Sequence, residues 1–307
     1  MTVAIFSHPA CLEHVLLPGH PESPDRLRAV LGALDHARYA ALPRVEAPKA
    51  TREQLARVHH ATLIADVLDG PDLPYRQLDP DTAMTSGSAE AALRAAGAVC
   101  AAIDRVMTGD SRRAFCAVRP PGHHATADTA MGFCLFNSVA VGAAHAIAAH
   151  GLSRVAIMDF DVHHGNGTQD IFWNEPRVLY ASTHQSPLYP DTGRVDEHGS
   201  ADNIVNAPLP PGAGSVEFRA AIESVVLPAL DAFAPELLIV SAGFDAHRLD
   251  PLANLNVEGD DYRWVTEQLV ALAERHCGGR IVSSLEGGYS LAALRECTQA
   301  HVDALMR

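Results

Sequence analysis

Between Arg154 and Thr168 the chain reads Arg-Val-Ala-Ile-Met-Asp-Phe-Asp-Val-His-His-Gly-Asn-Gly-Thr, and no other segment constrains the fold as tightly. Residues 155–158 are a continuous apolar, β-compatible run, the pattern of a strand covered on both faces. Asp159, Asp161 and His163 follow at alternate positions. A period of two puts their side chains on one side of an extended chain. Two carboxylates and an imidazole just past a strand's C-terminal end make an oxygen and nitrogen ligand set suited to zinc. Open α/β sheets bind their ligands beyond the carboxyl ends of the strands.

Strand-like and helix-like runs alternate along the rest of the chain. Residues 3–6, 114–118, 154–160, 177–183, 236–243 and 280–285 read as strands. Residues 25–38 (opened by Ser23-Pro24), 87–107, 137–150 (closed by Gly151), 216–233, 260–276 and 291–306 read as helices. This alternation predicts an α/β fold, with parallel strands and helices on both faces. A chain of 307 residues can bury a large core. No repeat, low-complexity tract or long linker divides it, so residues 1–307 read as a single domain. The Pro/Gly-rich stretches 71–80, 186–193 and 208–214 read as long loops on that scaffold, and loops of this kind often shape a site.

The formal charge is −14 and no Lys/Arg block stands out, which argues against binding naked nucleic acid. The balance is compatible with basic peptides or polyamines as substrates. Cys11, Cys100, Cys116, Cys134, Cys277 and Cys297 form no CxxC pair, and the N-terminal stretch has no basic leader. Reduced thiols in a cytoplasmic protein are therefore expected. No apolar run reaches the ~18 residues that a membrane-spanning helix needs.

Reactive groups follow four of the expected strands. These are Arg119-Pro-Pro-Gly-His123-His124, then Asp159/Asp161/His163, then Ser241-Ala-Gly-Phe-Asp245, and last Glu286-Gly-Gly-Tyr289. Taken singly, each has an ordinary explanation. Asp245 could be a helix cap, His123-His124 a solvated loop pair or a pair of bases or ligands, and Tyr289 a packing residue. Their joint occurrence at one sheet edge favours a site. The chemistry they suit is metal-assisted hydrolysis. A metal activates water, a neutral His moves the proton, and a Tyr hydroxyl binds the developing oxyanion. No G-x-S-x-G elbow is present, Gly165-Asn-Gly167 is too short for a phosphate loop, and Cys134 sits in an apolar run.

These residues resemble the zinc-dependent histone deacetylase and acetylpolyamine amidohydrolase superfamily, on its class II-like, bacterial-type side. The likeness runs in order through His20-Pro-Glu-Ser-Pro-Asp-Arg-Leu27, Leu78-Asp-Pro-Asp-Thr82, residues 119–125, Gly132-Phe-Cys-Leu-Phe-Asn137, residues 159–169, residues 241–245 and residues 286–289. It implies an arginase/deacetylase fold with a central parallel sheet of about eight strands. It also implies one zinc held by Asp161, His163 and Asp245, with His124 as the proton-shuttling base and acid and His123 as its electrostatic partner. Tyr289 would grip the scissile carbonyl. Asp159 and Asn166 would orient His123 and His124. Gly132, Phe133 and Tyr189 would line a channel for an acyl-lysine stem, and Leu252 would stand at its gate. Many relatives carry Phe where this chain has Tyr189. The family also binds monovalent cations, here potassium in a structural role. One site would use the backbone of Asp159, Asp161 and His163 with the Ser182 hydroxyl, and a second would use the loop between Phe172 and Val178.

The implied activity is hydrolysis of N-acetyl-lysine or a related N-acyl amine, on a peptide or a small molecule, with neither nucleic acid nor membrane as partner and with room for a homo-oligomer. The chief alternative is an acetylpolyamine amidohydrolase. Such relatives place an acid at the gate, where this chain has Leu252 by position, though Asp250 is close by. The two-manganese ureohydrolases share the fold, but the His123-His124 loop replaces ligands for a second metal. A pure acyl-lysine reader would need a degraded site. The loops around residues 12–24 and 71–80 are expected at the channel mouth or at a subunit contact.

Overall fold

The computed structural model describes residues 3–71 and 73–307. Met1 and Thr2 of the N-terminal stretch, and Asp72 of the loop expected over 71–80, lie outside the described residues. Eight strands form one sheet. They are β1 (Val3–Ser7), β2 (Arg44–Glu46), β3 (Arg113–Cys116), β4 (Val155–Asp159), β5 (Val178–Gln185), β6 (Ile204–Leu209), β7 (Leu237–Ala242) and β8 (Ile281–Leu285). Their order across the sheet is β2-β1-β3-β8-β7-β4-β5-β6, and every neighbouring pair is parallel. Parallel strands need helical crossovers, and those crossovers cover both faces. Strands β3, β4, β5, β7 and β8 are accordingly buried along their whole length.

The principal crossover helices are α1 (Pro24–Leu34), α2 (Ser88–Thr108), α3 (Ser138–His150), α4 (Asn166–Phe172), α5 (Gly259–His276) and α6 (Leu291–Leu305). Pro24 opens α1, where its missing N–H costs nothing, and Gly151 closes α3 with φ 67°. Among the described residues no helix is long and apolar enough to cross a membrane. All six cysteines are free and buried.

Some expectations are corrected in detail. The helix expected over 25–38 ends at Leu34, because the Asp35 amide turns to Gly32 and His36 takes an extended conformation before a short 3-10 turn. The helix expected over 216–233 is broken by a π-turn, Ile222–Val226, just before Pro228. Proline has no amide hydrogen to give, and its ring crowds the preceding turn, so the ladder widens there. The loop expected over 208–214 begins inside β6, whose Pro208 is tolerated because β6 is an edge strand. Strands β2 and β6, a two-stranded hairpin (Arg76–Gln77 with Ala83–Met84) and a helix (Ala61–Asp69) were not expected.

The register places the site. Cys116 of β3 is level with Ser284 of β8, Ser284 with Ser241 of β7, and Ser241 with Asp159 of β4. The four central strands β3-β8-β7-β4 are contiguous and end at one height. The four reactive segments leave the sheet from those ends, side by side.

Candidate active site

Asp161, His163 and Asp245 each offer one donor atom, and those atoms lie within 4.8 Å of one another with all three residues buried. His163 Nδ1 is 3.1 Å from Asp161 Oδ1 and 3.3 Å from Asp245 Oδ2. The backbone fixes the acids from outside. Asp161 Oδ2 accepts from the Gly287 amide at 2.8 Å, and Asp245 Oδ1 accepts from the Val162 amide at 2.8 Å. Asp245 Oδ2 is buried without a hydrogen-bond partner. Two buried acids need a cation between them. Burial opposes a charge on His163, but Asp161 and Asp245 outweigh it and hold the imidazole up to about 10. A divalent metal ion supplies that positive charge better than a proton does, and two oxygens with one nitrogen fit its needs. The cradle is also shaped for closeness. A Cβ on Gly287 would sit 1.9 Å from Asp245 Oδ2, so only glycine lets the phenol-bearing loop lie against the acids.

The two histidines of the β3 loop are distinguished by their partners. His123 Nδ1 pairs with Asp159 Oδ2 at 3.0 Å, and that oxygen also accepts from the Tyr180 hydroxyl at 3.1 Å. Burial opposes charge on His123, but Asp161 and Asp159 overcome it and raise the ring to about 10. His124 Nδ1 lies 2.8 Å from Asn166 Oδ1. That oxygen can only accept, so the ring hydrogen sits on Nδ1 and Nε2 carries a free lone pair. Burial, then His123 and His163, hold His124 well below the usual imidazole range, so it is neutral.

A cavity of about 250 Å³ opens onto these groups and is lined by Asp81, His124, Gly132, Phe133, His163, Leu188, Tyr189, Leu252 and Tyr289. All four residues expected along the channel are among them. Gly132 has φ +58°, and a Cβ there would meet His124 Cδ2 at 2.4 Å, so a side chain is excluded twice over. Phe133 stands edge-on to Tyr289 (6.0 Å between centroids) and to His20 (4.9 Å). Tyr189 stands edge-on to His124 at 5.1 Å, and its hydroxyl is buried without a hydrogen-bond partner. A larger surface groove of about 530 Å³, between Arg57, Ile147, Phe172 and Arg177, contains none of this machinery.

Several further side chains hold these loops from outside the cavity. Arg26 is buried and donates to the carbonyls of Glu286 and Gly288 (2.6 Å to the latter), with its guanidinium 4.8 Å from the Tyr289 ring. Glu22 lies between Arg26 (2.9 Å) and Arg119 (2.6 Å), and those cations overcome burial to hold it down to about 2. Glu286 accepts from the amides of Gly122 (2.6 Å) and His123 (3.2 Å), tying the loops after β8 and β3 together. Glu22 and Arg26 both lie in the His20–Leu27 motif, but nothing local in that motif pairs their side chains with the Tyr289 turn.

The monovalent-cation expectations fall on ordered structure. Ser182 Oγ is 2.9 Å from His184 Nδ1. The carbonyls of Phe172, Glu175 and Val178 converge on the Asn203 side-chain amide, whose Nδ2 donates to them at 2.8, 3.3 and 3.0 Å. A second group of donors, Asp104, His145 and His150, also draws together. There Arg57 donates to His145 Nδ1 at 2.9 Å, so the ring hydrogen of a neutral His145 is on Nε2 and points at Asp104 Oδ1, 2.7 Å away. The trio is a hydrogen-bonded cluster that ties α3 to α2, with Asp104 Oδ1 2.7 Å from both His145 Nε2 and His150 Nε2.

Comparison with known proteins places this architecture. A model of the histone deacetylase domain matches residues 20–305. The histone deacetylase-like amidohydrolase of Pseudomonas aeruginosa is 41% identical over 293 residues, spanning 94% of this chain and 77% of that protein. A probable deacetylase of Archaeoglobus fulgidus is 36% identical over 312 residues, spanning 100% of this chain and 86% of that protein. The crystal structure of the HDA15 HD domain superposes with a TM-score of 0.95 at 39% identity, covering 99% of this chain and 88% of that one. With its eight-stranded parallel sheet and the four reactive loops at one edge, the chain belongs to the histone deacetylase family of amide hydrolases.

Proposed function

We propose that the protein is a zinc-dependent deacylase that hydrolyses the amide of N-acetyl-lysine or a close N-acyl amine. One observation carries this reading. The donors of Asp161, His163 and Asp245 meet beside the free Nε2 of His124, and the same cavity wall holds Tyr289. Zinc in that donor set would lower the pKa of water toward about 7 and polarise the amide carbonyl.

The rest of the chemistry falls to the chain. His124 Nε2 accepts a proton as water attacks the carbonyl carbon, because Asn166 keeps the hydrogen on Nδ1 and burial keeps the ring neutral. The same nitrogen returns that proton to the amine nitrogen as the C–N bond breaks, so water and amide become carboxylic acid and amine, which leave as carboxylate and ammonium at neutral pH. His123, tied to Asp159 through Nδ1, stands against His124 as its electrostatic partner, with the two ring centroids 4.0 Å apart. Tyr289 donates to the oxyanion. Burial, the largest of its effects, holds the phenol well above its usual range, so the donor hydrogen is present at neutral pH. Phe133 and Tyr189 flank an aliphatic stem, and Leu252 supplies an apolar gate.

The gate favours acyl-lysine over acetylpolyamine. Asp250, two residues before Leu252 in the chain, is buried with its carboxylate turned inward onto backbone amides, so it does not face an incoming cation. The acid that does line the cavity, Asp81, already accepts from the Gly132 amide and the Thr82 hydroxyl. We also assign potassium to two places. The first is the β4 end at Asp159, Asp161, His163 and Ser182. The second is the Phe172–Glu175–Val178 carbonyls, where Asn203 turned over would add Oδ1, an oxygen that is buried without a partner.

The test is turnover of a fluorogenic acetyl-lysine peptide against acetylputrescine. Hydroxamate-sensitive hydrolysis of the peptide, at a higher kcat/KM than the polyamine, is expected. A preference for acetylputrescine would overturn the substrate assignment, and no turnover of either would overturn the deacylase reading.

A further inference from the structure

Asp250 lies on the loop that carries Asp245, yet its side chain serves a different loop. Its Oδ2 accepts from the Tyr289 amide at 2.7 Å and the Ser290 amide at 3.3 Å. Its Oδ1 accepts from the Leu252 amide at 3.0 Å. Its own amide donates to the His247 carbonyl at 2.8 Å. The residue is only 8% exposed.

The segment it holds needs holding. After β8 the chain runs through Gly287 and Gly288, the latter with φ +117°, before α6 begins at Leu291 with Ser290 as its cap. Amides just ahead of a helix have no acceptor within it. For Tyr289 and Ser290 the acceptor is Asp250. Arg26 grips the same segment from its other side, through the Glu286 and Gly288 carbonyls. The phenol-bearing turn is thus fixed by its carbonyls to α1 and by its amides to the loop of Asp245. Bonded to Leu252 as well, a single carboxylate joins the Asp245 loop, the channel gate and the phenol.

We infer that Asp250 is the positioning residue for Tyr289, setting where the phenol hydroxyl stands relative to the Asp161, His163 and Asp245 donors. The inference rests on the reading that Tyr289 binds the oxyanion. Misplacing such a group by about 1 Å can cost on the order of 100-fold in rate. Asn at this position cannot accept with its nitrogen, so either the gate or the phenol turn loses its acceptor.

A double-mutant cycle tests this on the full, metal-loaded enzyme with an acetyl-lysine peptide. D250N is expected to lower kcat by about tenfold or more, with KM changed less than about threefold and metal content unchanged. In the Y289F background the same change should cost less than about twofold, because there is no hydroxyl left to place. If D250N does not fold, Asp250→Glu carries the same test, since it keeps both acceptor oxygens on a longer stem. A wild-type kcat, or equal losses in both backgrounds, would show Asp250 to be merely structural and overturn the inference. A Y289F enzyme of full activity would overturn the oxyanion reading, and the inference with it.

Discussion

Tyr289→Phe removes one oxygen and leaves the rest of the site in place. The ring is held edge-on to Phe133 at 6.0 Å and beneath the Arg26 guanidinium at 4.8 Å, and neither contact needs the hydroxyl. The Tyr289 and Ser290 amides stay on Asp250, and the donors of Asp161, His163 and Asp245 are untouched. The loss is therefore one hydrogen bond to a developing oxyanion in a buried cavity. Removing such a donor typically costs about 10²–10³ in kcat, or about 3–4 kcal/mol. The phenol stays protonated far above neutral pH, so the deficit should be constant between about pH 6 and 9, where the unperturbed Tyr pKa of about 10 is already out of reach. Steady-state turnover of an acetyl-lysine peptide, with metal content measured on the same preparation, reads it directly. The expected outcome is the full loss in kcat with the metal retained. A kcat within about threefold of wild type would refute the oxyanion role.

Three further outcomes are expected. Glu22→Ala leaves Arg26 and Arg119 buried without their shared acid, which should cost about 3–5 kcal/mol in denaturant unfolding; a change below about 1 kcal/mol would contradict it. His59 and His301 are buried and neutral, pushed down by burial to about 4 and about 3, while an unfolded chain takes up their protons near pH 6.5. The unfolded state therefore binds more protons below pH 6.5, and stability should fall as pH drops from there toward about 4, by about 1.4 kcal/mol per pH unit for each ring; His59→Gln and His301→Gln should flatten that slope, and an unchanged slope would contradict it. Gly132→Ala adds a Cβ 2.4 Å from His124 Cδ2 at φ +58°, and should lower kcat severely while the metal stays bound; unimpaired turnover would show that the His124 ring has no fixed place.

The strands that carry the chemistry were legible because they are buried on both faces. Residues 155–158 and 237–240 are unbroken apolar runs, and the acids beyond them stand out against that background. The His123-His124 pair and Tyr289 were legible from their own chemistry and from the Gly-containing turns that hold them. The edge strands were not. β2 is three residues with an exposed face, and β6 contains Asn206 and Pro208, so neither shows a strand's periodicity. The groups that position the site were also hidden. Arg26 and Glu286 act across about 260 residues of sequence, and Asp250 reaches Tyr289 across 39. Nothing local marks a buried acid as a backbone acceptor, and Asp250 read instead as a neighbour of the gate.

Metal stoichiometry decides whether Asp161, His163 and Asp245 form a metal site. Metal-stripped wild-type protein, titrated with zinc and followed by elemental analysis and by thermal unfolding, should take up one tightly held ion per chain and melt at a higher temperature. Asp161→Ala and Asp245→Ala, each still folded by circular dichroism, should lose both the ion and the thermal gain. Stoichiometric zinc in either variant, or none in the wild type, would contradict that assignment.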